Sequence, residues 1–199
     1  MTFHSLQQER RSIYNLGNQL TQTPEEIFNI VNGAVREAPS AFNSQSVRAV
    51  TLTGAAHEKL WDLVLAQLKT VAKDPESFQK TQNKIDHSFK SGFGTVLLFT
   101  DTTVVKNLEE RFPFYADNFY DWSEQALGIA SYAIWVALAE VGIGASNQHY
   151  NPLIDQALQT EFNFPANWHL RAEMPFGSIQ APADTKEYMA DDQRFRLIQ

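Results

Sequence analysis

The chain contains no cysteine. Disulfides, thiolate metal ligands and cysteine nucleophiles are thereby excluded. The lack of disulfides fits a reducing, cytoplasmic setting. Basic residues are in the minority, with 16 Lys plus Arg against 23 Asp plus Glu and a formal charge of -7. Such a chain has little long-range attraction for a phosphate backbone, which argues against nucleic acid as a partner. Long apolar runs are missing too. The most apolar stretch, Ala126 to Ala139, has Glu124 and Glu140 on its flanks. It falls short of the roughly 18 residues that suggest a membrane span, so it reads as a buried helix and no membrane partner is expected. The opening MTFHSLQQERRS has no apolar core of the kind a secretory signal needs. No Gly-x-Ser-x-Gly elbow, P-loop or Gly-x-Gly-x-x-Gly occurs, so a chain-encoded acyl nucleophile and Rossmann-type dinucleotide binding lack support. No other histidine or carboxylate stands at ligand spacing from His149, so no metal site is predicted.

What is present suits one globular domain over residues 1–199. An apolar content of 43% supplies a sizeable core, and domains commonly run to roughly 100–200 residues. Thr23-Pro24-Glu25-Glu26 is a helix start: Thr23 caps, Pro24 loses no needed N–H, and Glu26 reaches back to the cap. Ile27, Ile30, Val31, Ala34, Val35 and Ala38 then follow helical spacing. Pro39 ends the helix by disfavouring the helical region for Ala38. Val47 to Thr53 reads as a strand, residues 56–73 as a helix, 74–92 as a polar irregular stretch, and Gly94 to Phe99 as a central strand. Asp101 caps a helix to about Arg111. Asp121, with Glu124 as its capping-box partner, is expected to start the long apolar helix, which ends near Gly142. Residues 143–149 suit a strand, and Asn151-Pro152 the start of a short helix. Alternation from Trp168 to Met174 marks a half-buried strand. The tail QRFRL, 193–197, reads as a fifth strand on a long arm able to pair with its own or another subunit. The class is α+β, a small mixed sheet flanked by helices.

Three stretches carry hydrogen-bonding chemistry. Pro39-Ser40-Ala41-Phe42-Asn43-Ser44-Gln45 offers amides and hydroxyls between small residues, enough to line the edge of a cavity. Taken by itself it reads first as a polar loop whose side chains satisfy local backbone groups. Glu9-Arg10-Arg11-Ser12 can clamp a phosphate or be a solvated charged face, and Lys186 presents the same choice. Asn147, Gln148 and His149 follow a run of small residues that lets a ligand approach the backbone, although His149 also suits a packed, hydrogen-bonded role. Together these describe a ligand with a phosphate at one end and a flat polar ring at the other. No side chain forms a reaction centre, so a cofactor is expected to carry the chemistry.

Read in order along the chain, Arg10-Arg11-Ser12, Ala38-Pro39-Ser40-Ala41-Phe42-Asn43-Ser44-Gln45, Gly92-Phe93-Gly94-Thr95-Val96-Leu97, Tyr115-Ala116-Asp117-Asn118-Phe119, Trp122-Ser123-Glu124-Gln125, Gly144 to Pro152 and Arg171-Ala172-Glu173-Met174-Pro175-Phe176-Gly177 resemble the nitroreductase family. The resemblance is to its small fungal and bacterial nitroreductase-like subgroup. It implies the family's α+β fold, with a C-terminal arm exchanged in a homodimer and FMN bound noncovalently at the interface. It implies electron transfer from NADH or NADPH, through the N5 position of FMN, to nitroaromatics, quinones or similar flat acceptors. Carried over by position, Arg10 and Arg11 hold the phosphate and ribityl chain, and Ser12 lies near the polar ring edge. Pro39, Ser40, Ala41 and Asn43 reach the flavin from the other subunit, with Gln45 nearby. Asn147, Gln148 and His149 lie beside the N5 edge, and Lys186 adds a phosphate contact. Two positions depart from the family pattern. Tyr188 stands where relatives often carry a second basic residue, and His149 where many carry a carboxylate. Lys84 and Lys90 are candidates for the lysine near the pyrimidine edge. Phe114, Tyr115, Phe119 and Trp122 could wall an acceptor pocket or simply pack. A flavin-binding sensor with negligible turnover shares the same pocket, and a cofactor-free helical interaction domain is the third reading.

Overall fold

A computed structural model describes residues 2–199. Its helices are α1 (Phe3–Glu9), α2 (Pro24–Glu37), α3 (Gly54–Val71), α4 (Pro75–Ser88), α5 (Thr102–Arg111), α6 (Ala116–Glu140), α7 (Asp155–Phe162) and α8 (Asp191–Arg194). Its strands are β1 (Leu16–Gly17), β2 (Val47–Thr53), β3 (Gly94–Asp101), β4 (Gly144–Ala145) and β5 (Trp168–Ile179).

The sheet runs β1-β5-β3-β2, and β4 also pairs with β5. Every pairing between these strands is antiparallel. All eight residues of β3 are buried, as expected of a strand covered on both faces. Alternation along it feeds two cores. Val96 and Leu98 join Ala172, Met174 and Phe176 under α2 and α6, with Ile27, Val31, Ile134 and Leu138. Leu97 and Phe99 point the other way, to Leu60, Trp61 and Val64 of α3 and Leu158 of α7. A polar group is tolerated inside this second core because its bonds close. Thr95 Oγ1 accepts from Trp61 Nε1 at 3.1 Å and lies 2.9 Å from His57 Nδ1. His57 Nε2 faces the Lys90 carbonyl at 3.1 Å. A carbonyl only accepts, so Nε2 carries the ring proton and Thr95 donates to Nδ1.

The start of α2 forms as its sequence dictates. Thr23 Oγ1 accepts from the Glu26 N–H at 3.2 Å, and Glu26 Oε2 accepts from the Thr23 N–H at 2.7 Å. The Thr23 N–H, and then the Thr23 hydroxyl at 3.0 Å, both donate to Glu26 Oε2 and hold its carboxyl below the usual value. Five expectations fail. Residues 75–88 are a helix, not an irregular stretch. Asp74 caps it and Ser77 fills the place that Glu or Gln takes in the familiar box. The long apolar helix starts at Ala116, with no side-chain cap, which puts Asp121 on an exposed interior turn. Glu124 pairs instead with Arg171, at 2.8 Å to Nε and 2.5 Å to Nη2. Of residues 143–149 only Gly144–Ala145 is a strand, with an isolated bridge between Gln148 and Glu173. The turn at Asn151-Pro152 precedes the helix, which opens at Asp155. The tail 193–197 is no strand: α8 takes its first two residues, and the rest pairs with no strand of the chain. The fifth strand is Leu16–Gly17, paired with Ile179 and Ser178.

Candidate functional site

The extended residues after α1 and the chain leaving β5 meet at a cavity of about 480 Å³. Helix α1 ends because Arg10 adopts extended dihedrals. The chain then runs beside β4, with Ser12 bridged to Ala145 and the Ile13 N–H donated to the Ala145 carbonyl at 2.9 Å. Arg10, Arg11 and Ser12 line one side of the cavity, with Ala183, Asp184 and Lys186 on the other. The Arg10 guanidinium lies 4.4 Å from the centre of the Trp135 ring, and its buried Nε has no partner. Arg11 Nη2 donates to the Asp184 carbonyl at 2.6 Å, tying the two ends of the chain together. Lys186 Nζ stands 4.9 Å from the Tyr188 ring. The tyrosine at 188 therefore packs against the lysine's charge. Three cations and one carboxylate make the site attractive to an anion.

Pro39, Ser40 and Gln45 line a different cavity of about 370 Å³, with Asn32, Arg36 and Arg48. Ala41 and Asn43 sit beside it in a single turn of 3-10 helix. Phe42, Asn43 and Gln45 all have positive φ, 56°, 49° and 50°. L-residues adopt that region at a cost, so a cluster of them is stored strain of the kind found at binding sites. The Ser40 hydroxyl accepts from the Gln45 N–H at 2.9 Å, and Arg48 donates to the Gln45 carbonyl at 2.7 Å and to Asp101 at 2.9 Å. The positive φ values and Arg48 were not visible as site features in the sequence, because left-handed geometry at non-glycine residues leaves no compositional mark.

The third stretch is held by β5. Gln148 and Glu173 exchange backbone hydrogen bonds of 2.7 and 3.0 Å. Asn147 Nδ2 donates to Ser131 at 2.8 Å, while its buried Oδ1 has no partner. His149 is exposed, so it is not a packed histidine. Glu173 is wholly buried and was not singled out from the sequence. Its Oε2 accepts from the Tyr150 N–H at 3.0 Å, and its Oε1 has no partner. Burial, with Asp155 as a like-charged neighbour, pushes its carboxyl up to about 8. Burial and that same carboxyl push Tyr150 up to about 12.

Neither candidate lysine lines these cavities. Lys90 pairs with Asp62, and Lys84 lies over the Phe89 ring at 5.7 Å. Of the four aromatics, Phe119 is buried, whereas Phe114 is 88% exposed. Phe42 joins them, with ring centres 5.4 Å from Phe119 and 6.1 Å from Trp122. The chain thus brings 10–12 together with 186, and keeps 39–45 on a separate cavity.

Comparison with known proteins bears on the fold and the family. The model of the Nitroreductase family matches residues 8–178. The nitroreductase FRM2 of Saccharomyces cerevisiae is 31% identical over 184 residues, 90% of this chain and 89% of the relative. The nitroreductase CinD of Lactococcus lactis, solved in complex with chloramphenicol, superposes with a TM-score of 0.91. Identity is 47%, and all of both chains is covered. A nitroreductase of Desulfitobacterium hafniense with bound FMN shares the fold at 16% identity, with a TM-score of 0.72, over 98% of this chain and 97% of that one. With a family match over residues 8–178, most of its length, the chain belongs to the nitroreductase family of oxidoreductases.

Proposed function

We propose that the protein is an FMN-dependent oxidoreductase that takes two electrons from NADH or NADPH and delivers them to flat acceptors such as nitroaromatics or quinones. The observation that carries this reading is the convergence of Arg10, Arg11, Ser12 and Lys186 from opposite ends of the chain on one cavity. A phosphate fits that set. The unpartnered, buried Arg10 Nε lacks an acceptor, which a phosphate or ribityl oxygen would supply. The unpartnered Asn147 Oδ1 lacks a donor, which a polar ring edge would supply. FMN, when bound, provides the two-electron chemistry that no side chain here offers.

The chain's own work is binding and orientation. Arg10, Arg11 and Lys186 hold the phosphate. Their positive charge also favours an electron-rich ligand by direct attraction. Asn147, Gln148 and His149 flank the reacting edge. Pro39, Ser40, Ala41, Asn43 and Gln45 act from the other subunit of a homodimer, which accounts for their separate cavity in one protomer. The C-terminal arm, exposing Phe195, Leu197 and Ile198 at 62, 82 and 90%, embraces that partner. The solved complexes of CinD with 4-nitrophenol and with nicotinic acid support small flat rings as the ligand class.

Absorption spectroscopy of the purified protein tests the proposal. A flavin spectrum that bleaches with NADH or NADPH, and recovers with 4-nitrophenol or a quinone faster than free FMN does, is the expected result. Bleaching with no turnover above free FMN would favour a sensor. A colourless protein that cannot be reconstituted with FMN would overturn the reading.

A further inference from the structure

We propose that Glu173 is the positioning residue for the 148–150 segment, and that its uncharged acid form is the one that holds it. The inference rests on the reading above only in taking His149 to lie at the reacting edge. Glu173 grips both neighbours of His149. Its backbone exchanges two hydrogen bonds with Gln148, and its Oε2 accepts from the Tyr150 N–H. The exposed His149 between them makes no such bond of its own, so Glu173 sets where it points.

Donors and acceptors around Glu173 do not balance if it is ionised. Glu173 Oε1 has no partner, and neither have Asn151 Oδ1 and Asp155 Oδ1, the buried acceptors of the turn that follows Tyr150. All three accept and none donates. A single proton on Glu173 converts one of them to a donor and removes a charge from a site with no exposed surface. The titratable and charged groups around this centre are few. Tyr150 and Asp155 act on Glu173 or respond to it, and His169 and Arg171 act on Asp155. Among the described residues no cation offsets the charge of Glu173. Burial lifts the carboxyl to about 8 against the opposing pull of the Tyr150 N–H bond, with Asp155 adding to the rise, so the acid persists at neutral pH. Above that pH two carboxylates share the site, and the relief available is for the 148–155 turn to open to water.

The test is amide exchange at Tyr150, read by NMR on the intact protein at pH 7 and pH 9 and corrected for the intrinsic pH dependence of exchange. In the wild type, protection falls roughly tenfold at pH 9, one unit past the midpoint. In Glu173→Gln, which keeps an acceptor and carries a permanent donor, protection is the same at both pH values. The KM for NADH or NADPH follows the same pattern, rising with pH in the wild type alone. A wild-type profile that is flat, or a variant with the same pH dependence, overturns the proposal. If the variant does not fold, carbon-13 titration of the Glu173 carboxyl in the wild type decides. A midpoint at or below the ordinary glutamate value overturns it, and one near 8 supports it. The exchange readout needs no turnover. Protection that behaves as stated in a protein without reductase activity would overturn the functional reading and leave this one standing.

Discussion

Replacing Gln45 by glycine should make the protein more stable and worse at binding FMN. Gln45 has φ 50° and is exposed, and its side chain makes no hydrogen bond within the protomer. Holding an L-residue in the left-handed region costs about 1–2 kcal/mol. Glycine removes that cost but loses about 0.5–1 kcal/mol more backbone entropy on folding. The balance is a gain of about 0.5–1 kcal/mol in unfolding free energy. The backbone bond from residue 45 to the Ser40 hydroxyl survives the change. What disappears is the amide, worth about 1 kcal/mol if it meets the ligand, or roughly a fivefold rise in Kd. Neighbouring positions give the control. Asn43, at φ 49°, is a residue type that tolerates this region, so Asn43→Gly gains less. Phe42→Gly relieves φ 56° but forfeits the rings of Phe112, Phe119 and Trp122 around it, and should lose stability outright. Denaturant unfolding of FMN-free protein at one fixed concentration, with FMN titration by flavin fluorescence, reads both quantities. A loss of more than about 1 kcal/mol in Gln45→Gly would show that the turn stores no strain. An unchanged Kd would remove Gln45 from the binding surface.

Thr95→Val strands the buried Trp61 N–H and the His57 nitrogen that Thr95 serves. Each buried orphan costs about 1–3 kcal/mol, so unfolding free energy should drop by about 2–6 kcal/mol in denaturant titrations. Burial, the largest cause, holds His57 below its ordinary value. The unfolded chain therefore takes up that proton first. The His57 contribution is complete above about pH 6.5 and is lost as pH falls through the folded value. His57→Gln should flatten that part of the stability profile, and an unaltered profile would refute the assignment. Arg10→Met keeps an apolar stem over Trp135 and removes the cation. A lost charge-assisted bond of about 1.5–3 kcal/mol raises the FMN Kd roughly ten- to a hundredfold. An unchanged Kd in a folded variant would place the phosphate elsewhere.

Legibility in the sequence followed the physics of each element. The start of α2 was readable because Thr23, Pro24 and Glu26 determine it locally. Strand β3 was readable because burial on both faces demands an unbroken apolar run. The α4 helix was not, since Ser77 closes its capping box and most of its face is polar. Asp121 misled because capping chemistry looks the same on an exposed interior turn, and α6 starts five residues earlier on packing rather than on a cap. The two-residue strands β1 and β4 are too short to show a period and exist because β5 offers an edge. Arg10, Arg11, Ser12 and Lys186 were legible as a set through resemblance alone, since 174 residues separate Ser12 from Lys186 in a chain of 199. Glu173 was read as the outward side of an alternating strand. A bulge in β5 at Arg171, which is skipped between the Ala172–Leu98 and Leu170–Phe99 pairs, shifts the alternation so that Glu173 shares the inward face with Leu170, under the cover of the 148–155 turn.

That inward turn points to β5 as the element that gives the site its geometry. Its far end, Ser178 and Ile179, pairs with β1 and so fixes the chain just after Arg10 to Ser12. Phe176 and Gly177 pair with β4, which in turn receives Ser12 and Ile13. Glu173 holds Gln148 and Tyr150, and the chain leaving the strand carries Asp184 and Lys186 to the cavity. Residues 10–17 and 144–150, distant in sequence, are thus registered on one strand together with that strand's own continuation to Lys186, which places a site more accurately than free loops can. Gly177 shows how tight that registration is. A Cβ there would run into the Gly17 carbonyl oxygen and come within 3.0 Å of the Phe93 nitrogen. Both are backbone atoms that cannot swing aside. The glycine lets β1 approach β5, and through that approach the arginines reach the lysine.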